Sequence, residues 1–517
     1  MTEAATFAHL LADRTSSEPA IIDEAAAITV SHRALADEVE RLAQVLWGAG
    51  LDRGDSVALD LPNGLALLTL CLALTRAGLI AVPLDPAYKA SGLRELGRGL
   101  RESGKGDGVR AIVTEIGNAT VAEVAADRAL PVWTPSIEPT GEVHLAGIRS
   151  ASRRTPGEPL PDDVAFFLHT SGTTGLPKVV PLTHANVLLS ARRIAAHYAL
   201  TPADRTLLVL PMFHGHGLIG AALATLASGG TVIVPPRFSA THFWSSFREH
   251  RATWYTAVPT VHQILLARAD ADSAPYSGIR FIRSCSSALA PAVLAALERR
   301  FGVPVLEAYG ATEASHQIAS NPMPPRARKP GTVGVGTGVE IGIVDSSGRA
   351  LPAHSSGEVV IRGPSVMRGY LNNPAANTAA FINGWYRTGD LGLLDQDGYL
   401  SLTGRIKEMI NRGGEKISPI EVDAVLLAHP AVAQAATFGV PDPKYGQDVQ
   451  AAVVLKGAVE PEELRSFCRE RLADFMVPRV IHVVPSLPKS AVGKIQRHVL
   501  TDLYTPANQP DRDEPRR

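Results

Sequence analysis

Thr170-Ser171-Gly172-Thr173-Thr174-Gly175-Leu176-Pro177-Lys178 is the stretch on which the reading of this chain turns. It follows the apolar run 164–168, which reads as a buried strand. Small residues let backbone N–H groups approach phosphate oxygens, hydroxyls donate to the same oxygens, and a lysine neutralises their charge. A Gly/Thr-rich surface loop is the bland alternative. Four hydroxyls at the exit of a buried strand make it the weaker one. The segment is not a Walker loop, because G-x-x-x-x-G-K-[ST] occurs nowhere in the chain. It reads as a cradle for a polyphosphate.

On either side, apolar strand-like runs alternate with amphipathic helical stretches. Residues 31–48 read as a helix capped by Ser31, with Leu35, Val39, Leu42 and Leu46 on one face and Glu38, Glu40 and Arg41 towards solvent. Residues 57–61 and 79–83 read as strands flanking a buried helix at 65–77. The same alternation recurs from 205 to 284. The expected fold class is therefore α/β, with parallel sheets flanked by helices. Residues 136–163 turn polar and rich in Pro and Gly, and read as a connecting loop. From 331 the pattern changes to short strands and tight turns, a β-rich subdomain, and after Arg405 a compact α+β unit begins. The expected division is 1–403 for an N-terminal domain (with 331–403 as its β-rich part), 404–503 for a small α+β C-terminal domain, and 504–517 for a disordered tail.

Composition narrows the function. The 517 residues carry 50 Lys+Arg against 51 Asp+Glu, so the global basic footprint of a nucleic-acid binder is missing. Cys71, Cys285 and Cys468 are too few and too scattered for a disulfide framework or a structural zinc site. The longest uncharged run, 206–236, is broken by histidines, Pro211 and Gly229-Gly230, and reads as strand, loop, helix and strand rather than a membrane span. No signal sequence is visible, and a cytoplasmic protein is expected.

Further motifs stand in order behind the first. They are Tyr309-Gly310-Ala311-Thr312-Glu313, Trp385-Tyr386-Arg387-Thr388-Gly389-Asp390, Gly404-Arg405-Ile406-Lys407, Asn411-Arg412-Gly413-Gly414-Glu415-Lys416 and Pro488-Lys489-Ser490-Ala491-Val492-Gly493-Lys494. Together they resemble the adenylate-forming superfamily over nearly the whole chain, and within it the acyl-CoA synthetases closest to the oxalate–CoA ligase branch. The resemblance implies ATP, Mg²⁺ and CoA as the small molecules handled, with a carboxylic acid as the partner substrate. It implies no nucleic acid and no membrane span, and a homodimer is left open.

By the same resemblance Thr170, Ser171, Gly172, Thr173, Thr174 and Gly175 hold phosphates, with Ser286, Tyr309, Gly310, Asp390 and Arg405 completing the nucleotide site. Asp390 would accept from the ribose hydroxyls. Glu313 would hold Mg²⁺, a suitable task for a hard carboxylate beside polyphosphate. Lys494, Thr312, Lys178 and His214 would be catalytic, with Lys494 clamping the carboxylate and leaving oxygens. Lys407 would be the hinge about which the C-terminal domain rotates. Gly413, Gly414, Glu415 and Lys416 would line the CoA tunnel. His214, His216, Gly310 and His316 are the acyl-pocket candidates. A short dicarboxylate would use His and Ser groups for its far carboxylate, whereas a bulky acid would use the room left by the small residues Gly310, Ala311 and Gly215.

Two departures from the family pattern stand out. Val179 occupies a position where a glycine usually follows the loop lysine, and Val492 replaces a hydroxyl residue before Gly493. If Val179 required positive φ, adenylation would be weakened, and an enzyme that only thioesterifies a supplied adenylate would be the alternative. A carrier-protein-loading enzyme is a further alternative, ranked lower because no carrier domain follows Lys494.

Overall fold

The computed structural model describes the chain except residues 1–5, 12–14, 87–107, 150–156, 171–177, 271–277, 491–492 and 506–517. Two large sheets form the base. One has seven strands, in the order Val143–Ala146, Val132–Ile137, Val109–Thr114, Ser56–Asp60, Ile80–Pro83, Val164–Thr170 and Lys178–Thr183. The other has nine, and at its centre Arg205–Leu207, Trp254–Ala257, Phe281–Ser284 and Val305–Ala311 run parallel. The expected α/β class is what the chain adopts. Parallel strands need covering on both faces, and the helices Leu65–Arg76, His184–His197 and Ala224–Ala227 supply buried apolar side chains to one continuous core.

Helix His32–Gly48 begins where its sequence predicts. Ser31 Oγ accepts from Ala34 N at 3.2 Å and so satisfies one orphan donor of the first turn. One expectation on this helix fails. Glu38 is buried rather than facing solvent, because its carboxylate accepts from Val143 N at 2.6 Å and pairs with Arg41. The same contact explains a second difference. Part of the expected loop 136–163 is a strand, Val143–Ala146, paired antiparallel to Val132–Ile137 with Val143 and Leu145 inward.

A five-stranded antiparallel sheet follows, built from Glu340–Val344, Gly357–Arg362, Phe381–Ile382, Trp385–Leu394 and Leu400–Arg405. The chain then forms its last sheet from Ile410–Arg412, Glu415–Ile417, Val432–Asp442, Gly446–Leu455 and Val480–Val483. Helices Pro419–Ala428 and Pro461–Arg469 contribute Val422, Leu426, Leu464 and Cys468 to a separate core. Among the described residues no helix is long and apolar enough to cross a membrane.

Candidate functional site

The parallel strands of the nine-stranded sheet end at one crevice, the usual place for ligands in α/β sheets. Thr256 and Arg283 are register partners on adjacent strands there. Arg283 is 0% exposed, and among the described residues none of its hydrogen-bond partners is a carboxylate. Its Nε donates to Tyr198 Oη at 2.8 Å, Nη1 to Thr256 Oγ1 at 3.0 Å, and Nη2 to His316 Nε2 at 2.8 Å and Gln317 Oε1 at 2.9 Å. Burying a guanidinium costs several kcal/mol unless its donors are satisfied, and four neutral acceptors do this here.

His216 and His316 stack with centroids 4.8 Å apart and planes 20° from parallel. His216 reaches Ser286 Oγ through Nδ1 at 2.9 Å and Thr256 Oγ1 through Nε2 at 2.6 Å. Burial and neighbouring positive charge hold both imidazoles well below the usual histidine range, so they are neutral. His214 is lowered to about 4 by burial and by the charge of Lys494, and its Nδ1 is buried without a partner among the described residues. Together with Leu210, Pro211, Val258 and Ser286, His214 and His216 line a cavity of about 210 Å³, its open mouth included.

Gly310 does not provide spare room. A Cβ there would lie 1.8 Å from the His316 carbonyl oxygen, because the strand bulges at Tyr309/Gly310 and His316 crosses beside it. The room expected at Gly310 for a bulky acid is therefore filled, whereas a Cβ on Gly215 would meet nothing nearer than 3.7 Å. His316 enters through a second absence of side chain. A Cβ on Gly220 would lie 2.4 Å from its imidazole, and Gly220 sits in the π-helical turn Leu218–Leu223.

On the other side of the crevice, Lys178 Nζ lies 4.6 Å from the ring centroid of Tyr370. Tyr370 Oη donates to Glu313 Oε1 at 2.7 Å and lies 3.1 Å from Tyr386 Oη. Thr312 opens the short 3₁₀ turn Thr312–Ala314 that carries Glu313. Asp390 accepts from Tyr309 Oη at 2.5 Å and from Arg405 Nε at 2.7 Å. The Lys494 ammonium reaches this group from the C-terminal unit, its pKa lowered by burial and then by Arg405, against the attraction of Asp390 and Glu313. Its loop is closed by Ser490 N donating to the Lys494 carbonyl at 2.8 Å.

Several expected residues stand elsewhere. Thr170 pairs directly with Lys178 across the strand ends, and Ser171, Gly172, Thr173, Thr174 and Gly175 lie outside the described residues, as does Val492. Val179 is a buried strand residue, not among the residues with positive φ, and packs in the core with Ile80, Val82 and Phe167. The concern that a glycine is needed there is removed. Lys407 is exposed on the short turn Ile406–Glu408, and Gly413, Gly414, Glu415 and Lys416 form an exposed hairpin turn.

Sequence reasoning gave no role to Thr256, Tyr198, Tyr370 or Arg283, although a lone arginine inside Phe281-Ile282-Arg283-Ser284 is a visible signal of a buried charge.

Among the described residues, Glu313 fits Mg²⁺. Glu313 offers a carboxylate beside Lys178, the arrangement of an ion shared between one protein oxygen and substrate phosphates. His216, Cys285 and His316 also approach within 4.8 Å of one another. Both nitrogens of His216 and Nε2 of His316 are already hydrogen-bonded, the last by a cation, so this cluster does not suit a metal.

Residues 10–371 match the model of the AMP-binding enzyme family, and residues 421–494 match the model of the AMP-binding enzyme C-terminal domain. An oxalate–CoA ligase of Arabidopsis thaliana is 47% identical over 92% of this chain and 93% of the relative. A sulfoacetate–CoA ligase of Cupriavidus necator is 36% identical over 95% of this chain and 96% of the relative. The crystal structure of ATP-bound MatB from Rhodopseudomonas palustris superposes with a TM-score of 0.87 at 30% identity, covering 97% of this chain and 99% of that one. The apo form of the same protein, at the same identity and coverage, scores 0.77. The present arrangement is thus nearer the ATP-bound form.

Proposed function

The chain belongs to the AMP-binding enzyme family as an AMP-forming acyl-CoA synthetase, and from that premise we propose that its acid is a two-carbon dianion such as oxalate. The observation that carries this reading is the stacked pair His216 and His316, backed by a fully buried Arg283 that has no carboxylate partner among the described residues. Neutral imidazoles and a serine at the end of a small cavity suit a second anionic group on a short acid. Oxalate and sulfoacetate, named for the two relatives, each carry one.

The reaction takes ATP, CoA and Mg²⁺. A carboxylate oxygen of the acid bonds to the α-phosphorus of ATP, pyrophosphate leaves, and the thiol sulfur of CoA then attacks the acyl carbon and releases AMP. The first step brings anion to polyanion, so positive charge at the reacting oxygens lowers the barrier. In this reading Lys178 and Lys494 supply it, and Thr312 and Thr170 add hydroxyl donors. Glu313 would hold Mg²⁺, which draws charge from the phosphates when bound. Tyr370 orients that carboxylate through its hydroxyl. Asp390 takes the ribose hydroxyls, and Arg405 pairs with it and aims it.

Lys494 lies inside the crevice while Gly413 and Gly414 are in solvent. This supports assigning the present arrangement to the adenylating state, with rotation near Lys407 exchanging the two for thioester formation. The proposal covers the domain division at about residue 404 as well. The filled space beside Gly310 removes one of the expected sources of room for a fatty, aryl or polycyclic acid.

The test is a panel of acids with ATP, Mg²⁺ and CoA, the products read by mass spectrometry. Oxalate and sulfoacetate should give the acyl-CoA, and acetate, octanoate and benzoate should give little. Better turnover of octanoate or benzoate than of oxalate would overturn the reading.

A further inference from the structure

We infer that Arg283 is a positioning residue that fixes the tautomers of His216 and His316, turning the acyl end of the crevice into a set of donors for an anion. The inference rests on the pocket assignment above only for what the donors bind. The tautomers themselves follow from geometry.

A guanidinium has five N–H donors and no acceptor. The nitrogen of His316 that meets Arg283 Nη2 at 2.8 Å must therefore be the unprotonated one. Nε2 accepts, so the single proton of a neutral His316 sits on Nδ1. The second chain is one bond longer. Thr256 Oγ1 accepts from Arg283 Nη1 at 3.0 Å, and its other hydrogen-bond partner is His216 Nε2 at 2.6 Å. Arg283 cannot take the hydroxyl proton, so Thr256 donates to His216 Nε2. His216 then carries its proton on Nδ1 and donates to Ser286 Oγ at 2.9 Å. Ser286 is left with its own O–H uncommitted. The reverse assignment would strand the Thr256 proton in a buried place, at a cost comparable to a lost hydrogen bond.

The chains end in two donors, Ser286 O–H, which lines the cavity, and His316 Nδ1–H, on the ring stacked against His216. Their backbones are held in the left-handed region, φ +76° for Ser286 and +86° for His316. A non-glycine residue persists there only when its surroundings impose it, and such positions concentrate at functional sites. The positive charge of Arg283 thus reaches an anion without touching it. Two neutral imidazoles separate them, and the relay frees the Ser286 hydroxyl to donate.

The test reads imidazole nitrogens directly. In the full-length protein with ¹⁵N-labelled histidine, long-range ¹H–¹⁵N correlation should show protonated Nδ1 and bare Nε2 for both residues, each assigned by its loss in His216→Gln and His316→Gln. Thr256→Val removes the relay but keeps Arg283, and should move the His216 proton to Nε2 in part or whole. His316 should be unchanged. The KM for oxalate should rise on the order of 10- to 100-fold, the range for a hydrogen bond to a charged group, with the KM for ATP little altered. Thr256→Ser should restore both. Protonated Nε2 on either histidine in the wild-type protein would overturn the inference, as would an unchanged His216 tautomer in folded Thr256→Val. If the tautomers are as stated but oxalate is no substrate, the proposed acid fails while this inference stands.

Discussion

Thr260 Oγ1 donates to the Gly493 carbonyl at 3.2 Å, linking a helix of the large unit to the loop that carries Lys494. Gly493 itself has φ +80°, and a Cβ there would press on Val258 at 3.2 Å. The loop is therefore docked by backbone as well as by the lysine. Thr260→Val should slow pyrophosphate exchange about 2- to 10-fold, the worth of one neutral hydrogen bond. CoA thioester formation from supplied acyl-adenylate should be unaffected. Lys494→Ala should show the same split far more strongly, and equal loss of both half-reactions in Lys494→Ala would contradict the docking account.

Arg497, three residues beyond Lys494, is anchored to Asp423, to the Thr437 carbonyl at 3.1 Å, and to Glu408 at 3.5 Å. Asp423 is buried and also accepts from Thr437 N at 2.6 Å. Removing one partner of a buried pair leaves the other uncompensated. Arg497→Met should cost roughly 3–5 kcal/mol in the C-terminal unit. Adding Asp423→Asn should recover part of that loss in thermal unfolding.

Val179 packs in a core on a strand. Val179→Gly should lower stability by about 2–4 kcal/mol, from lost apolar burial and added backbone freedom. ATP-dependent turnover should not increase. A faster, equally stable variant would restore the view that valine impairs adenylation here.

Glu307 is buried, and desolvation raises its carboxyl to about 7 against the opposing bond from Gly331 N at 3.3 Å. Its folded pKa lies above its unfolded value, so the native state holds the proton more tightly. Its contribution to stability is greatest below about pH 4.5 and is lost as pH rises through about 7. Glu307→Gln should raise the Tm at pH 8.5 and leave it nearly unchanged at pH 5. A fall at pH 8.5 would show that the ionised carboxylate is tolerated.

Much of this was legible from residue order. The Ser31 cap and the apolar faces of the early helices depend on neighbours a few positions away, and periodicity reports those. Tyr309, Asp390, Arg405, Glu313 and Lys494 were legible as motifs, and the fold brings them to one crevice. What was hidden depends on partners distant in sequence. Glu38 is inward because of Val143, 105 residues on. Gly310 is small because His316 passes beside it. Arg283 gains its meaning from Tyr198, 85 residues earlier, and from His316, 33 later.

The central claim is that the pocket reads the second negative charge of a two-carbon acid. Oxamate keeps the size of oxalate and replaces the far carboxylate with a neutral amide. The ratio of kcat/KM for oxalate to that for oxamate should exceed about 100 in the wild-type enzyme, since the neutral end forfeits charge-assisted bonds and presents donors to donors. A ratio near one would contradict the account.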